Sequence, residues 1–268
     1  MAKATPQFEL RLARGDDDLK AGQRLRYDVF VEELGASGSL VDHENRLERD
    51  EFDPFFDHLL LFDVAAPGAP CVGAYRVMRD DQAALMGRYY SEDEYDLTAL
   101  RNSGRKLLEL GRSCVHPEYR GGPALAQLWA GLLDYLSAHK IEVMFGVASF
   151  HGTDIDALKQ PLAHLHHNFL APEDLRVKVL PEHAQTMDLL PAIEVDERAA
   201  MGQMPSLIKA YLRLGGRVGE GAFVDKPFNT TDVCILVDMA KVPEKKRNVY
   251  ARIGARDPKR EPQTDPKS

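Results

Sequence analysis

Residues 107–150 constrain the fold of this chain more than any other stretch. Their apolar start predicts a strand, Pro117 and the glycine pair after it predict a turn, and residues 123–136 predict a helix that leads to a buried strand at 141–150. A strand–helix–strand unit of this kind is a crossover connection, which joins parallel strands and is right-handed. We therefore expect an α/β fold with a central mixed, twisted sheet flanked by helices.

The rest of the chain supplies further strands and helices. Residues 57–63 and 71–78 are apolar runs joined by a short Pro-Gly link, so they predict a hairpin. Residues 8–13 alternate like a strand, and residues 19–34 predict a helix. The remaining predicted elements are helices at 154–169 and 205–214, a strand-like segment at 175–180 and a core strand at 232–238.

The net charge of −8 conceals an uneven distribution. The last 28 residues hold nine Lys and Arg against four Asp and Glu, which leaves 25 against 38 in residues 1–240. An acidic body argues against nucleic acid as a partner and suits a cationic small molecule. We interpret residues 1–240 as one domain and residues 241–268 as a flexible basic tail. The alternative for the tail is contact with an anionic membrane surface or an acidic carrier protein.

Membrane-spanning, secreted and metal-binding classes receive no support. Apolar runs are strand-sized and the start of the chain lacks an apolar signal core, so we expect a cytoplasmic protein, peripheral at the inner membrane if the tail binds lipid. The three cysteines are too widely spaced for a disulfide framework or a metal site. His164, His166 and His167 cannot all face one metal from a helix, so no metal is predicted.

The order of these elements, with the turn Val115-His-Pro-Glu-Tyr-Arg-Gly-Gly122, resembles the GCN5-related N-acyltransferase (GNAT) superfamily. The resemblance implies a GNAT-like fold in which backbone amides around Ser113 and Val115 bind the thioester oxygen. In Arg120-Gly-Gly-Pro-Ala-Leu125, Pro123 and Leu125 stand where the acyl-CoA loop has Gly and Gly or Ala. That departure argues against coenzyme A itself as the acyl donor.

A narrower resemblance is to the bacterial L-ornithine Nα-acyltransferases, which are related to acyl-homoserine-lactone synthases. It covers roughly residues 20–240. The segments that carry it are Arg26-Tyr-Asp-Val-Phe30, Glu109-Leu-Gly-Arg-Ser-Cys-Val-His116, Phe145-Gly-Val-Ala-Ser-Phe-His-Gly152, Pro205-Ser-Leu-Ile-Lys-Ala-Tyr-Leu-Arg-Leu-Gly215 and Phe228-Asn-Thr-Thr-Asp232. The resemblance implies transfer of a 3-hydroxyacyl chain from acyl carrier protein, carried on 4'-phosphopantetheine, to the α-amine of L-ornithine. It implies no permanently bound cofactor.

Amide formation from a thioester needs a deprotonated amine and a polarised carbonyl, which directs attention to a few residues. Glu109 is the predicted base, with a structural ion pair to Arg112 or Arg26 as the alternative. Arg120, Gly121 and Gly122 are predicted to bind the donor phosphate, because anions favour an arginine and the amides at a helix start. Cys114 is predicted to point into the core. The predicted catalytic group is Glu109, Arg112, Ser113 and Val115.

An acidic segment before residue 58 offers carboxylates for the cationic acceptor, and Asp225 with Asp232 is the alternative. Apolar side chains such as Phe150 suit either an acyl tunnel or an ordinary core. The predicted substrate-binding residues are Arg26, Phe30, Asp50, Asp53, Asp57, Phe150, Asp225 and Asp232.

We therefore expect an L-ornithine Nα-acyltransferase that produces lyso-ornithine lipid. Two alternatives stay open: an N-acyl amino acid or acyl-homoserine-lactone synthase with another acceptor, and a non-catalytic lipid-binding protein. An acid at position 109, on a strand before an Arg-Gly-Gly turn, favours an enzyme.

Overall fold

The computed structural model describes residues 5–38 and 40–244, and its contacts divide into two compact units. The first unit holds the described parts of Met1–Gln82 and Leu110–Lys140, and the second holds Ala83–Glu109 and Ile141–Pro243. Only the first four residues of the predicted basic tail fall within the described part of the chain. The assignment of residues 1–240 to one domain stays a prediction.

The described chain contains both strands and α-helices. The strands are β1 Phe8–Leu12, β2 Asp57–Asp63, β3 Cys71–Arg79, β4 Tyr95–Asp96, β5 Leu107–Val115, β6 Val143–His151, β7 Lys178–Val179, β8 Ala184–Gln185, β9 Arg217–Val218, β10 Ala222–Asp225 and β11 Thr230–Asp238. The helices are α1 Asp16–Arg26, α2 Asp80–Met86, α3 Thr98–Asn102, α4 Ala124–Ala138, α5 Ile155–Phe169, α6 Glu197–Gln203 and α7 Ser206–Arg213.

The first unit is a sheet in the order β1, β2, β3, β5 with helices against it. Successive side chains of a strand face opposite sides, so the continuous apolar run of β2 needs cover on both. Helix α1 approaches Leu60, where a Cβ on Gly22 would lie 2.8 Å from the leucine side chain. Helix α4 covers the side of Leu59, and a Cβ on Gly131 would lie 2.3 Å from Leu10. The predicted β2–β3 hairpin is confirmed, with antiparallel pairing.

The second unit continues from β5 in the order β5, β6, β11, β10, β8. Strands β5 and β6 pair in parallel, as the crossover predicted, while β6 and β11 pair antiparallel along their full lengths. The sheet is therefore mixed, as expected. Helix α5 begins after Asp154, whose side chain accepts hydrogen bonds from the amides of Asp156 and Ala157. This N-cap explains why the helix starts there.

Strand β5 pairs with β6 over its first three residues. Its parallel pairing with β6 covers Leu107, Leu108 and Glu109. Three residues later Arg112 has a φ of 48°, an uncommon left-handed conformation for a residue with a side chain. The backbone irregularity falls in the segment predicted to carry the chemistry.

Two predicted elements differ from the structure. The helix predicted at 19–34 is α1 followed by a π-helix, Tyr27–Glu33, in which the residue spacing changes. The strand-like segment 175–180 contributes only the two residues of β7. Residues 80–103 contain α2, a 3₁₀ turn at Tyr90–Asp93, β4 and α3. Among the described residues, no helix is both long and apolar enough to cross a bilayer.

Candidate active site

Glu109 is buried in the second unit and is held by main-chain donors. Its side chain accepts hydrogen bonds from the backbone N–H of Tyr90, at 2.9 Å, and of Ser91, at 2.6 Å. Residue Glu109 is 1% exposed. Both donors belong to the first turn of the 3₁₀ segment Tyr90–Asp93, where amides lack partners within the helix. The two main-chain hydrogen bonds fix the orientation of the Glu109 carboxylate.

Three further carboxylates meet in the same unit. Ligand atoms of Glu94, Asp225 and Asp232 all lie within 4.8 Å of one another, and Glu94 and Asp232 are each 4% exposed. We call these three residues the carboxylate triad. Ionised carboxylates at such distances repel, and a cation among them removes that repulsion. The triad suits a positively charged group.

Buried groups around the triad are fixed by the second unit's own contacts. The Tyr95 hydroxyl donates to the backbone oxygens of Asp232, at 2.9 Å, and Gly221, at 3.1 Å. Burial raises the pKa of the Cys234 thiol, and the charges of Glu109 and Glu94 raise it further. Glu109 and Glu94 therefore lie within electrostatic reach of one buried thiol.

Six charged residues form a buried network in the first unit, which we call the arginine–carboxylate cluster. Its members are Arg26, Glu48, Asp50, Asp53, Arg76 and Arg112. Three arginines face three carboxylates, so the formal charges balance. A balanced buried network has little electrostatic attraction for one more cation.

The bonds of the cluster are specific. Arg26 donates from Nε to Glu48 at 2.5 Å and from Nη1 to Asp53 at 2.7 Å. Arg76 donates from Nη1 to Asp50 at 2.6 Å and to Asp53 at 2.9 Å. Arg112 completes the set, with Glu48 at 3.1 Å and Asp50 at 3.3 Å. The predicted residues Arg26, Asp50, Asp53 and Arg112 are thus brought together.

The cluster sets the charge states of its members. Burial alone would raise the pKa of Asp53, but Arg26 and Arg76 outweigh it and hold that pKa well below its usual range. His58, whose Nε2 lies 3.0 Å from the backbone oxygen of Asp53, has its pKa lowered to about 4 by burial. His58 is therefore neutral at physiological pH.

The other predicted substrate-binding residues belong to neither the arginine–carboxylate cluster nor the carboxylate triad. The carboxylate of Asp57 accepts from Arg79 Nη1 at 2.7 Å and from the Tyr135 hydroxyl at 2.6 Å, outside the cluster. Phe30 packs, partly buried, on the first unit's apolar core. Phe150 is buried in β6 and pairs with Thr231.

The core placement of Cys114 is confirmed. Its side chain packs with Leu25, Leu60 and Ala74, and burial raises the pKa of the thiol far above its usual range. A thiol that stays protonated is a poor nucleophile. Its neighbours Ser113 and Val115 are half-buried on β5.

The predicted donor loop lies between β5 and α4. Both terminal nitrogens of Arg120 donate to Glu33 at 2.6 Å, and Arg120 Nε donates to the Val115 carbonyl at 3.0 Å. Gly121 has a φ of 74°, which favours glycine, and Gly122 follows it before the start of α4. Arg120 is therefore placed near a helix start, with Glu33 as a competitor for any anion.

Comparison with known proteins places this geometry in a family. An acetyltransferase (GNAT) domain model matches residues 25–130. The chain is 60% identical to the L-ornithine Nα-acyltransferase of Rhodobacter capsulatus over 94% of this chain and 98% of that protein. It is 42% identical to the Brucella abortus protein of the same name, covering 91% of this chain and 88% of that one. The chain belongs to the L-ornithine Nα-acyltransferase family.

Solved structures agree on the fold of this ornithine Nα-acyltransferase family member. The CoA-dependent acyl-homoserine lactone synthase BjaI, with SAM and isopentyl-CoA, matches with a TM-score of 0.56 at 14% identity, covering 98% of this chain and 96% of that one. The N-acyl amino acid synthase FeeM, from uncultured soil microbes, matches at 0.51 and 15%, covering 88% and 94%. These structures confirm the GNAT fold. The relatives named above confirm that the chain is an N-acyltransferase, which argues against the alternative of a non-catalytic lipid-binding protein.

Four residues important to the geometry were missed by the sequence analysis of this acyltransferase. Glu48 lies in the acidic segment before residue 58, and Arg76 is a charge inside an apolar strand, which was a usable signal of a buried ion pair. Glu94 and Ser91 sit in an irregular stretch with no periodic pattern. Their roles depend on contacts that no local pattern encodes.

Histidines of α5 have a carboxylate neighbour that spacing along the helix did not suggest. His166 Nε2 lies 3.9 Å from Asp188, and His167 Nε2 lies 3.7 Å from it. His167 Nε2 also lies 2.8 Å from the Leu190 carbonyl. The absence of a metal stays a prediction for this family member.

Proposed function

We propose that this N-acyltransferase transfers a 3-hydroxyacyl chain from acyl carrier protein to the α-amine of L-ornithine. The product would be lyso-ornithine lipid, and the reaction the first step of ornithine lipid biosynthesis. The observation that carries the proposal is 60% identity, over nearly the whole chain, to a protein named L-ornithine Nα-acyltransferase. A buried carboxylate held by two amides, Glu109, fits the base that such a reaction needs.

The chemistry is direct aminolysis of a thioester. The α-amine attacks the carbonyl carbon, the C–N bond forms and the C–S bond breaks, and the phosphopantetheine sulfur leaves as a thiolate that becomes the thiol by taking up the proton released by the amine. Glu109 accepts the proton lost by the amine, directly or through one water. Amides around Ser113 to Val115 polarise the thioester oxygen, in the manner of an oxyanion hole. No covalent acyl-enzyme is required, which agrees with the buried, protonated state of Cys114.

The acceptor's side-chain ammonium is assigned to the carboxylate triad. Of the acids proposed for this role, Asp50 and Asp53 are each bonded to arginines, within a network of balanced charge. Asp225 and Asp232 lie with Glu94, and the ligand atoms of the three carboxylates are within 4.8 Å of one another. Ornithine differs from neutral amino acids by that ammonium, so the triad gives a physical basis for selecting it.

The donor is assigned to acyl carrier protein because the turn after β5 departs from the usual acyl-CoA loop at Pro123 and Leu125. Arg120, Gly121 and Gly122 are the residues proposed to bind the phosphopantetheine phosphate. BjaI is a CoA-dependent enzyme on the same fold, so the fold alone does not decide between the two donors and a direct test is needed.

The test incubates the purified chain with 3-hydroxyacyl carrier protein or 3-hydroxyacyl-CoA and a panel of amines that includes ornithine, lysine and norvaline. Thiol release and product mass are followed together. We expect an ornithine amide from the carrier-protein donor and a slower or absent reaction from CoA. An amide with a different amine and none with ornithine would refute the acceptor. Thiol release from 3-hydroxyacyl-CoA, with none from the 3-hydroxyacyl carrier protein, would refute acyl carrier protein as the donor.

We also propose that the chain acts in the cytoplasm, at the inner membrane surface, through the basic residues after 240. These residues carry nine positive against four negative side chains, which suits anionic lipid. A chain truncated after Val242 is expected to lose binding to anionic liposomes. Undiminished binding would refute this contact.

A further inference from the structure

We propose that Glu92 and Arg101 are positioning residues for Glu109, because they hold the turn whose amides bind its carboxylate. The proposal rests on the proposed role of Glu109 as the base. It concerns residues of the second unit only, and it requires neither Glu92 nor Arg101 to contact the reacting atoms. We call these two residues the brace.

The brace is bonded directly to the main chain beside the donors to Glu109. Glu92 Oε2 accepts a hydrogen bond from the backbone N–H of Tyr89 at 2.7 Å. The next two amides along the chain, those of Tyr90 and Ser91, donate to Glu109. Three consecutive N–H groups are therefore bound by two carboxylates. A shift of Glu92 would move the amides that orient Glu109.

Arg101 holds Glu92 in the orientation that this contact needs. Its Nε donates to Glu92 Oε1 at 2.8 Å, and its Nη2 donates to Oε2, the oxygen that also binds the Tyr89 amide. A two-point contact of guanidinium with carboxylate fixes both the direction and the plane of the acid. Arg101 comes from α3, so the brace ties the 3₁₀ turn to a separate helix.

The ring of Tyr89 connects the turn to the strand that neighbours Glu109. Tyr89 is buried, and its ring meets Phe145 edge to face with 5.0 Å between centroids. Phe145 is the residue paired with Glu109 in the parallel register of β5 and β6. The Arg101 guanidinium lies 4.8 Å from the centroid of the same Tyr89 ring. Brace, turn and strand are thus linked to Glu109 by a direct contact at each step.

The brace lies near the surface, so we expect its loss to change the orientation of Glu109 more than the stability of the fold. The Glu92 and Arg101 side chains are 26% and 40% exposed, and exposed ion pairs contribute little to folding. Small displacements of a catalytic group nevertheless cost rate, because proton transfer depends on close alignment. Loss of the brace should therefore lower kcat without unfolding the protein.

The primary test compares Glu92→Ala and Glu92→Gln with the unaltered chain in the ornithine assay. Alanine removes both contacts, whereas glutamine keeps an oxygen for the Tyr89 amide. We expect kcat to fall by about 10-fold with alanine and by less with glutamine, while the KM for ornithine changes little. Asp93→Asn is the matched control, because Asp93 pairs with Arg88 in the same turn and accepts none of these three amides. It should leave kcat unchanged.

A double-mutant cycle tests whether the brace acts through Glu109. Glu109→Gln is expected to lower kcat strongly, and adding Glu92→Ala to it should cost little more, because the group being positioned is already lost. A further 10-fold loss in that background would overturn the proposal, as would a Glu92→Ala variant with unchanged kcat. If Glu109→Gln itself keeps full kcat, the proposed base is wrong and the inference falls with it. An impaired Glu109→Gln with an unimpaired Glu92→Ala would refute the brace alone.

Amide hydrogen exchange keeps the test decisive if the Glu109→Gln variant is too slow to assay. The Glu92→Ala change should speed exchange of the amides of Tyr89, Tyr90 and Ser91, and Asp93→Asn should not. Unchanged protection of these amides in Glu92→Ala would contradict the inference whatever the kinetics.

Discussion

At the scale of single residues, His58 shows how burial beside a charged cluster shapes the response to acid. Burial lowers the pKa of His58 to about 4 from its ordinary 6.5, so the unfolded chain binds more protons between these pH values. Stability should therefore fall as the pH is lowered from 6.5 to 4, by at most roughly 3 kcal/mol from this group. The lowered pKa of Asp53 acts in the same direction, below pH 3.8.

We predict that His58→Gln reduces the slope of unfolding free energy against pH in that window, since the amide nitrogen can replace Nε2 without titrating. Urea unfolding at half-unit steps from pH 4 to 7 measures the slope. His183→Gln, at an exposed histidine, is the control and should retain the original slope. Equal slopes for the His58 variant and the unaltered chain would show that His58 is already charged or accessible in the fold.

Single residues also show where sequence reasoning reaches its limit. Glu109 stood out because a carboxylate on a strand before a Gly-rich turn is unusual in an otherwise apolar run. Its partners did not stand out, because Tyr90 and Ser91 contribute only their backbone amides, which every residue except proline possesses. Arg76 was readable as a buried charge, but its partners Asp50 and Asp53 lie more than 20 residues away. Side-chain type was predictable, and pairing was not.

At the scale of elements, the strand–turn–helix from β5 to α4 combines a predicted framework with an unpredicted competitor. The turn and the helix start were expected from Pro117, the Gly-Gly pair and the apolar pattern of residues 123–136. The bidentate contact of Arg120 with Glu33 was not, since Glu33 belongs to the π-helix, where the spacing of side chains departs from the α-helical period. Periodicity predicts the helical segment, yet not which side chain it directs at the turn.

We predict that Glu33→Gln lowers the KM for the acyl donor, because it frees the guanidinium of Arg120 for the phosphopantetheine phosphate. Arg120→Ala should raise that KM, by about 10-fold if a charge-assisted contact is lost. Steady-state kinetics with acyl carrier protein as the varied substrate measures both changes. Glu32→Gln, a neighbouring acid that pairs with Arg46 instead, should leave the donor KM unaltered. A Glu33→Gln variant with weaker donor binding would mean that Glu33 positions Arg120 rather than competing for it.

At the scale of the whole molecule, the proposed acceptor site consists of residues that only the folded second unit brings together. Glu94 precedes β4, Asp225 ends β10 and Asp232 lies in β11, and their carboxylates meet within 4.8 Å. The mixed sheet and its crossover followed from local patterns. Apolar periodicity predicts the elements, and a strand–helix–strand connection implies that its two strands are parallel. The triad depends on how a segment without periodicity, residues 87–96, is placed against two strands more than 120 residues later.

We predict that Asp232→Asn raises the KM for ornithine by about 10-fold and changes kcat less, because it weakens the contact with the side-chain ammonium while leaving Glu109 in place. The comparison substrate is norvaline, which has the same carbon chain without the ammonium. Norvaline should be a poor acceptor for the unaltered chain, and Asp232→Asn should leave its kcat/KM unchanged or higher. Equal losses of kcat/KM for both amines would mean that Asp232 stabilises the site as a whole and does not recognise the ammonium. A loss confined to ornithine would assign the triad to the ammonium, and would explain selection of a diamino acid by charge rather than by shape.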